Sequence, residues 1–296
     1  MLPTAHRYIL SVAETGSIRA SSQALNVAAS AISRQIQQVE HQFGHPLFER
    51  FASGMVLTPE GRILERHLRR TAREIEMAQA EIDDLHGLVT GNIRFAAIEG
   101  VLASWLIPAM TDFRARHPGI QFDGRILGSQ AAYEMVMTER LDFGVVVLDE
   151  TWPGIDIHRR YDTPLLAVMR PDHALGDKEV LSLKDIASEP LTMLDSGFTT
   201  RLVFDQILAR SGMAATVAFE VNHIEIAKRH VRAAGGITIL PEYAVSVEIA
   251  DGTFVARPLI EAPALLDTVL FTRQDTARTK AADRFLDGLV AASVIS

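Results

Sequence analysis

Residues Ser17–Glu49, SIRASSQALNVAASAISRQIQQVEHQFGHPLFE, decide the fold of this chain. Ile32, Ile36, Val39 and Phe43 recur at spacings of four, three and four, the stripe of a helix packed on one side. Between them stand Ser30, Ser33, Arg34, Gln35, Gln37 and Gln38, short hydroxyls, amides and one guanidinium. Such groups hydrogen-bond base edges and grip phosphates, where an ordinary solvated face carries more Lys and Glu. A shorter helical pattern precedes this one, with Ile18, Ala20, Ala24 and Leu25 on one side and a break at Asn26-Val27. Two short helices joined by a tight turn, the second with a polar, nearly uncharged outer face, read as a helix-turn-helix.

Outward from this core, residues 2–14 read as a first helix that faces Ile9, Val12 and Ala13 inward. Gly44 supplies the permissive backbone of a helix C-terminus. Leu47–Phe51 and Met55–Thr58 alternate around Ala52-Ser53-Gly54, a hairpin that forms a wing whose Arg50 reaches phosphate. Taken alone, Arg50 fits an ordinary surface hairpin as well. Thr58-Pro59 opens a long helix over 59–86, with a hydroxyl cap and Pro in the first turn. Along it Leu64, Leu68, Thr71, Ile75, Ala78, Ile82 and Leu85 step by four and three, a narrow heptad seam. An exposed seam needs a partner helix, most simply from a second copy; packing on the chain's own body is the alternative. A two-fold dimer places two recognition helices on two half-sites of a pseudo-palindrome.

Gly87–Gly91 reads as a hinge, after which strands and helices alternate. Strands are expected at Asn92–Ile98, Gln121–Leu127 and Phe143–Leu148, with helices at Ser104–Arg116 and Gln130–Arg140. Beyond Tyr161 a second lobe follows, with strands Leu165–Met169, Leu191–Leu194, Thr216–Val221 and Ile237–Leu240. Its helices are Thr199–Ser211, Ile224–Ala234 and Pro241–Ala250, and strand Thr268–Thr272 with helix Ala277–Ala292 returns to the first lobe. This is the pattern of a mostly parallel sheet covered by helices.

The chain resembles the LysR-type transcriptional regulators. The resemblance is carried by Gly16-Ser17, Leu25, the run Ser33-Arg34-Gln35-Ile36, Glu40, Gly44, Leu47-Phe48, Arg50, Leu57-Thr58 and Gly61, a long ordered set at fixed spacing. Ala233-Ala234-Gly235-Gly236-Ile237-Thr238-Ile239-Leu240-Pro241 resembles the family's second motif, so the likeness covers essentially the whole chain. It implies a winged helix-turn-helix domain over 1–58, a linker and dimerisation helix over 59–86 and a hinge over 87–91. The effector domain over 92–296 resembles periplasmic solute-binding proteins, with one lobe near 92–161 and 266–296 and the other near 162–265. It also implies double-stranded DNA, a second copy of the chain and a small-molecule effector as partners, with dimer or tetramer left open. No cofactor and no metal are implied.

The residues expected to touch DNA are Ser17, Ala29, Ser30, Ser33, Arg34, Gln37 and Arg50. The chain departs from the family at the start of the recognition helix, where a hydroxyl cap and a glutamine are usual and Ala28 and Ala29 stand. An Ala cap costs a helix roughly 0.5–2 kcal/mol relative to Ser or Thr. The readout then falls more heavily on Ser30, Ser33 and Arg34.

The resemblance places the effector between the lobes, at strand C-terminal ends, where α/β folds bind small molecules. After the first strand it implies Glu99, Gly100, Val101 and Ser104; after the second, Ser129 and Gln130. From the second lobe it implies Ser196, Phe198 and Thr199, then Asn222 and His223. Hydroxyls at helix N-termini, Ser129, Thr199 and Thr200, are anion seats, which favours a carboxylate effector. Glu99 stands near where many family members have a small hydroxyl, and a carboxylate there repels an anion unless protonated or turned away. The effector is therefore expected to present a cation or hydrogen-bond donor near Glu99; a Glu99 pointing to water is the plain alternative.

Composition narrows the rest. The chain has 296 residues, no cysteine and no run of 18 apolar residues, which excludes disulfides, thiolate chemistry and a spanning helix. MLPTAHRYIL is no signal peptide, and a cytoplasmic protein is expected. The net charge of −8 is unevenly spread: residues 1–70 hold eight arginines against five acids, a balance of +3, leaving −11 to the remainder. A mildly basic head on an acidic body fits a protein that meets DNA at one end. Neither H-E-x-x-H nor G-x-S-x-G occurs, and the ten histidines are scattered. A solute-binding module without a DNA role and an α/β enzyme are the rival classes.

Overall fold

The computed structural model of the chain describes residues 3–52, 54–86, 89–148, 151–260 and 265–291. Two compact units separate at Gly91–Asn92.

The first unit opens with α1 (Thr4–Thr15), α2 (Ile18–Leu25) and α3 (Ala29–Phe43), packed around Ile9, Val12, Ile32, Ile36 and Leu47. Local chemistry sets the ends of these helices. Ser17 Oγ accepts the Ala20 N–H at 3.3 Å and so caps α2, while Asn26, at φ 53°, ends it. No side chain caps α3, since its N-cap is Ala28, and Gly44 ends it at φ 74°. Strands β1 (Phe48–Phe51) and β2 (Gly54–Leu57) pair antiparallel as the wing; Ser53 of the expected turn lies outside the described residues. Then α4 (Pro59–Leu85) begins at Thr58, whose hydroxyl oxygen accepts the Gly61 N–H at 2.9 Å and donates its own proton to Pro46 O at 2.8 Å.

Three expectations about inward faces need correction. On α2 the buried residue is Ser21, not Ala24, which is exposed. Ala24 stands about 100° round the axis from Leu25, whereas Ser21 shares the face of Ile18 and Leu25 and bonds the Thr15 hydroxyl at 2.8 Å. Phe43, in the last turn of α3, is 55% exposed and lies in an apolar groove with Ile63 of α4. The heptad seam also divides. Leu64 and Leu68 pack into the head's own core, so they are not free for a second copy, while Thr71, Ala78, Ile82 and Leu85 are exposed and Ile75 is half-buried.

The second unit starts after the expected hinge, of which Gly87 and Leu88 lie outside the described residues. Its first lobe contains β3 (Gly91–Ala97), the single turn α5 (Glu99–Val101), a π-helical stretch at Leu102–Leu106 and α6 (Ile107–Arg116). It continues through β4 (Ile120–Ile126), α7 (Ser129–Met137) and β5 (Phe143–Val147). The long β6 (Ile155–Met169) carries the chain into the second lobe, made of α8 (Leu183–Ala187), β7 (Leu191–Leu194), α9 (Thr199–Arg210), β8 (Val217–Val221) and α10 (Ile224–Ala234). There follow β9 (Ile237–Pro241), a 3-10 turn at Glu242–Ala244, α11 (Ser246–Ala250) and β10 (Val255–Pro258), before β11 (Leu265–Arg273) and α12 (Lys280–Ala291).

The sheet runs β4-β3-β5-β11-β6-β9-β7-β8, with β10 beside β6. Three pairs are parallel, β3 with β5 and β7 with both β8 and β9. The crossing strands β6 and β11 pair antiparallel with each other, because the chain crosses by β6 and comes back along β11. Each is antiparallel to its other neighbours too, β11 to β5 and β6 to β9 and β10. That makes the sheet mixed rather than mostly parallel. Pro164 sits inside β6 where pairing passes from β11 to β9, a position at which a missing N–H costs little. Buried side chains gather around Val136, Val146, Trp152 and Phe271 in one cluster and around Leu165, Met193, Phe204 and Ile239 in another. Gly235 and Gly236, at φ 81° and 79°, make the tight passage from α10 to β9 that their sequence suggested.

Candidate functional site

In the first unit, the structure turns the polar face of α3 outward. Ile32, Ile36 and Val39 are buried, while Ala29, Ser30, Arg34 and Gln37 are exposed and Ser33 is half-buried. Arg50 is exposed on β1, and it shares with Ser33 and Gln37 the lining of a hollow of about 100 Å³ between α3 and the wing. Hydroxyl, amide and guanidinium are thus presented together around this hollow. Ser17 stands apart in kind: its oxygen is engaged as the cap of α2, so its work is to position a helix end.

The second unit holds a cavity of about 350 Å³ between its lobes. Strand ends and helix starts build it. From the first lobe come Ile98 and Glu99 after β3, Leu127 to Ser129 between β4 and α7, and Val147 at the end of β5. From the second come Gly197 to Thr200 at the start of α9, Asn222 to Ile224 at the start of α10, and Tyr243 after β9.

Of the expected residues the cavity brings together Glu99, Ser129, Phe198, Thr199, Asn222 and His223. Five others do not line it. Gly100 is covered by Tyr243, whose ring carbon would stand 2.7 Å from any Cβ there, and Val101 is buried. Ser104 is one turn on and donates to Gly100 O at 2.9 Å. Gln130 is exposed with its amide on Glu134 at 3.0 Å, and Ser196 is exposed in the turn before α9. The sequence reading missed Ile126, Leu127, Val147, Ile224 and Tyr243. Val147 and Ile126 end strands, a usable signal, whereas nothing local marked Tyr243.

The cavity's charge is set by one contact. Glu99 Oε1 lies 2.7 Å from His223 Nδ1, and Oε2 accepts the Ile224 N–H at 3.2 Å. Glu99 neither points to water nor stands bare toward a ligand; it is already hydrogen-bonded across the lobes, which removes the reason for a cationic group on the effector. No Lys or Arg lines the cavity among the described residues. Burial pushes the Tyr243 phenol far above its ordinary value, leaving a neutral hydroxyl.

Comparison with known proteins agrees with this geometry. Residues 4–62 match the family described as bacterial regulatory helix-turn-helix protein, lysR family. Residues 86–293 match the LysR substrate binding domain. The transcriptional activator CmpR of Synechocystis sp. is 26% identical over 293 residues, covering 97% of this chain and 95% of the relative. The regulator CbbR of Rhodospirillum rubrum is 25% identical over 274 residues, 92% of this chain and 90% of its own. Among solved structures, full-length OxyR of Pseudomonas aeruginosa shares the fold at a TM-score of 0.70 and 19% identity, covering 99% and 96% of the two chains.

Proposed function

The chain belongs to the LysR family of transcriptional regulators, and we propose that α3 reads its operator while the lobe cavity receives the controlling effector. The family members are regulators with a DNA-binding head and a substrate-binding domain, not enzymes. What supports the division of labour here is the exposure of Ser30, Arg34 and Gln37 on a helix whose opposite face buries Ile32, Ile36 and Val39. Ser33, Arg34 and Gln37 make the base contacts, Ser30 and Arg50 grip phosphate, and Ser17 aims the start of α2 at the backbone. Two such heads, joined through the exposed part of the α4 seam, address two half-sites.

The effector is a small molecule held in the cavity between the lobes, and no cofactor takes part. It acts by favouring one arrangement of the lobes over another, and the change it produces is bounded by that preference. No helix among the described residues is long and apolar enough to cross a membrane.

Selection of binding sites from random duplex DNA by the full-length protein, followed by footprinting, tests this reading. A two-part footprint that changes when a stabilising metabolite is added is the expected result. No enrichment of any sequence, or a footprint indifferent to every stabilising metabolite, would refute it.

A further inference from the structure

Glu99 and the first turn of α10 belong to opposite sides of the cavity, since Glu99 follows β3 and α10 packs on β7 and β9. A helix N-terminus carries unsatisfied N–H donors and a partial positive charge. At α10 the N-cap is His223, which places no side-chain acceptor on those donors. Glu99 supplies it, through Ile224 N–H at 3.2 Å and His223 Nδ1 at 2.7 Å, with its side chain only 14% exposed. The protein's own carboxylate occupies the anion seat of this helix.

The start of α9 is left open. Its N-cap, Phe198, makes no side-chain cap either. Thr200, in its first turn, is 6% exposed and lines the cavity, and its hydroxyl makes no hydrogen bond among the described residues. Tyr243 is 4% exposed and lines the same cavity, again with no hydrogen bond of its hydroxyl among the described residues. Neither hydroxyl oxygen is sealed from solvent, so both are open on the cavity side, where an accepting group on a ligand can meet them. Around them the walls are aliphatic, from Ile98, Leu127 and Val147.

We propose that Glu99 is a specificity-determining residue which confines this cavity to ligands with a single negative charge. The ligand's carboxylate takes the seat at Thr199 and Thr200, and its apolar body lies against Ile98, Leu127 and Val147. A second anionic group meets a carboxylate already in place. The donors at His223 and Ile224 are taken up by Glu99 itself, and no Lys or Arg lines the cavity among the described residues to receive that group. The inference rests on the reading of the cavity as the effector site.

Calorimetry on the full-length protein tests it with matched pairs of probes, butanoate against succinate, hexanoate against adipate and benzoate against phthalate. Wild type should bind at least one monocarboxylate and bind its dicarboxylate partner at least tenfold more weakly. Glu99→Gln, nearly isosteric, and Glu99→Ala should both narrow that ratio to about threefold or less, and Thr200→Val should weaken the monocarboxylate. The proposal is overturned by a wild type that binds both members of a pair equally, by an unchanged ratio in both Glu99 variants, or by a wild type that binds no monocarboxylate. An uncharged or cationic probe that binds wild type and is weakened by Thr200→Val would overturn it too, yet leave the cavity as the effector site.

Discussion

Glu40 Oε1 accepts the backbone N–H of Leu47 at 2.8 Å, with the Phe48 N–H at 3.4 Å. The carboxylate at the end of α3 thereby holds the chain that enters the wing. A charged acceptor makes this stronger than a neutral bond, and it couples the recognition helix to β1 across seven residues.

Glu40→Ala should leave the Leu47 N–H buried without a partner, since Leu47 is 1% exposed. The cost is about 1–3 kcal/mol. Faster amide exchange at Leu47 and Phe48, together with a lower melting temperature of the head, is the expected reading. Unchanged exchange at both amides would show that the wing is held by other means.

Arg34→Ala and Ser33→Ala should lose specific operator binding while leaving the oligomer intact. A good side-chain contact to a base is worth about 1–3 kcal/mol of discrimination. Mobility shifts at several salt concentrations check this against a non-specific duplex. Normal specific binding by both variants would assign the readout elsewhere.

Ala28→Ser should stabilise the head. Ala28 has the extended backbone of a cap, φ −64° and ψ 135°, and offers no side-chain bond to α3. A hydroxyl there adds about 0.5–2 kcal/mol, read as a raised melting temperature. A lowered one would mean that the larger side chain is not accommodated at the start of α3.

Ile82→Asp and Leu68→Asp should fail in different ways. Ile82 is 52% exposed and Leu68 is 4% exposed. A charge at Ile82 disturbs only a partner helix, giving smaller species by light scattering with unchanged circular dichroism. A charge at Leu68 unfolds the head. Equal loss of structure in both would place Ile82 in the chain's own packing.

The Asp185 carboxylate should mark the acid side of the stability profile. Its hydrogen bond with Lys178 at 2.6 Å, then its bonds with Ser182, hold it down from 3.8 to about 2. A depressed carboxylate contributes stability above its unfolded value and loses it as pH falls toward the folded one. The carboxylate is reached by solvent, its side chain being 25% exposed, so screening keeps the contribution small. Asp185→Asn should flatten the acid limb of the melting temperature between pH 3.8 and about 2; an unaltered limb would exclude the capping box as its source.

The amino-acid pattern alone determined most of the elements and their order. The periodicity of Ile32, Ile36 and Val39, the hydroxyl-Pro start at Thr58-Pro59 and the Gly235-Gly236 passage are local features, and backbone propensity and burial period depend on neighbours in sequence. Strands such as β10 and the first half of β6, and the short α8, escaped because their residues carry weak periodicity and are held by pairing with distant strands. The direction of those pairings, too, was set only when the chain crossed between lobes and returned.

The cavity divides in the same way. Glu99, Thr199 and His223 were legible as strand-end and helix-start residues. What tertiary structure alone decided is that Glu99 caps a helix of the other lobe, that Tyr243 covers Gly100, and that Leu68 belongs to the head and not to the seam. Each is a contact between segments far apart in the chain, and a carboxylate's partner is chosen by the fold that brings a donor within 3.2 Å of it, not by its neighbours in sequence.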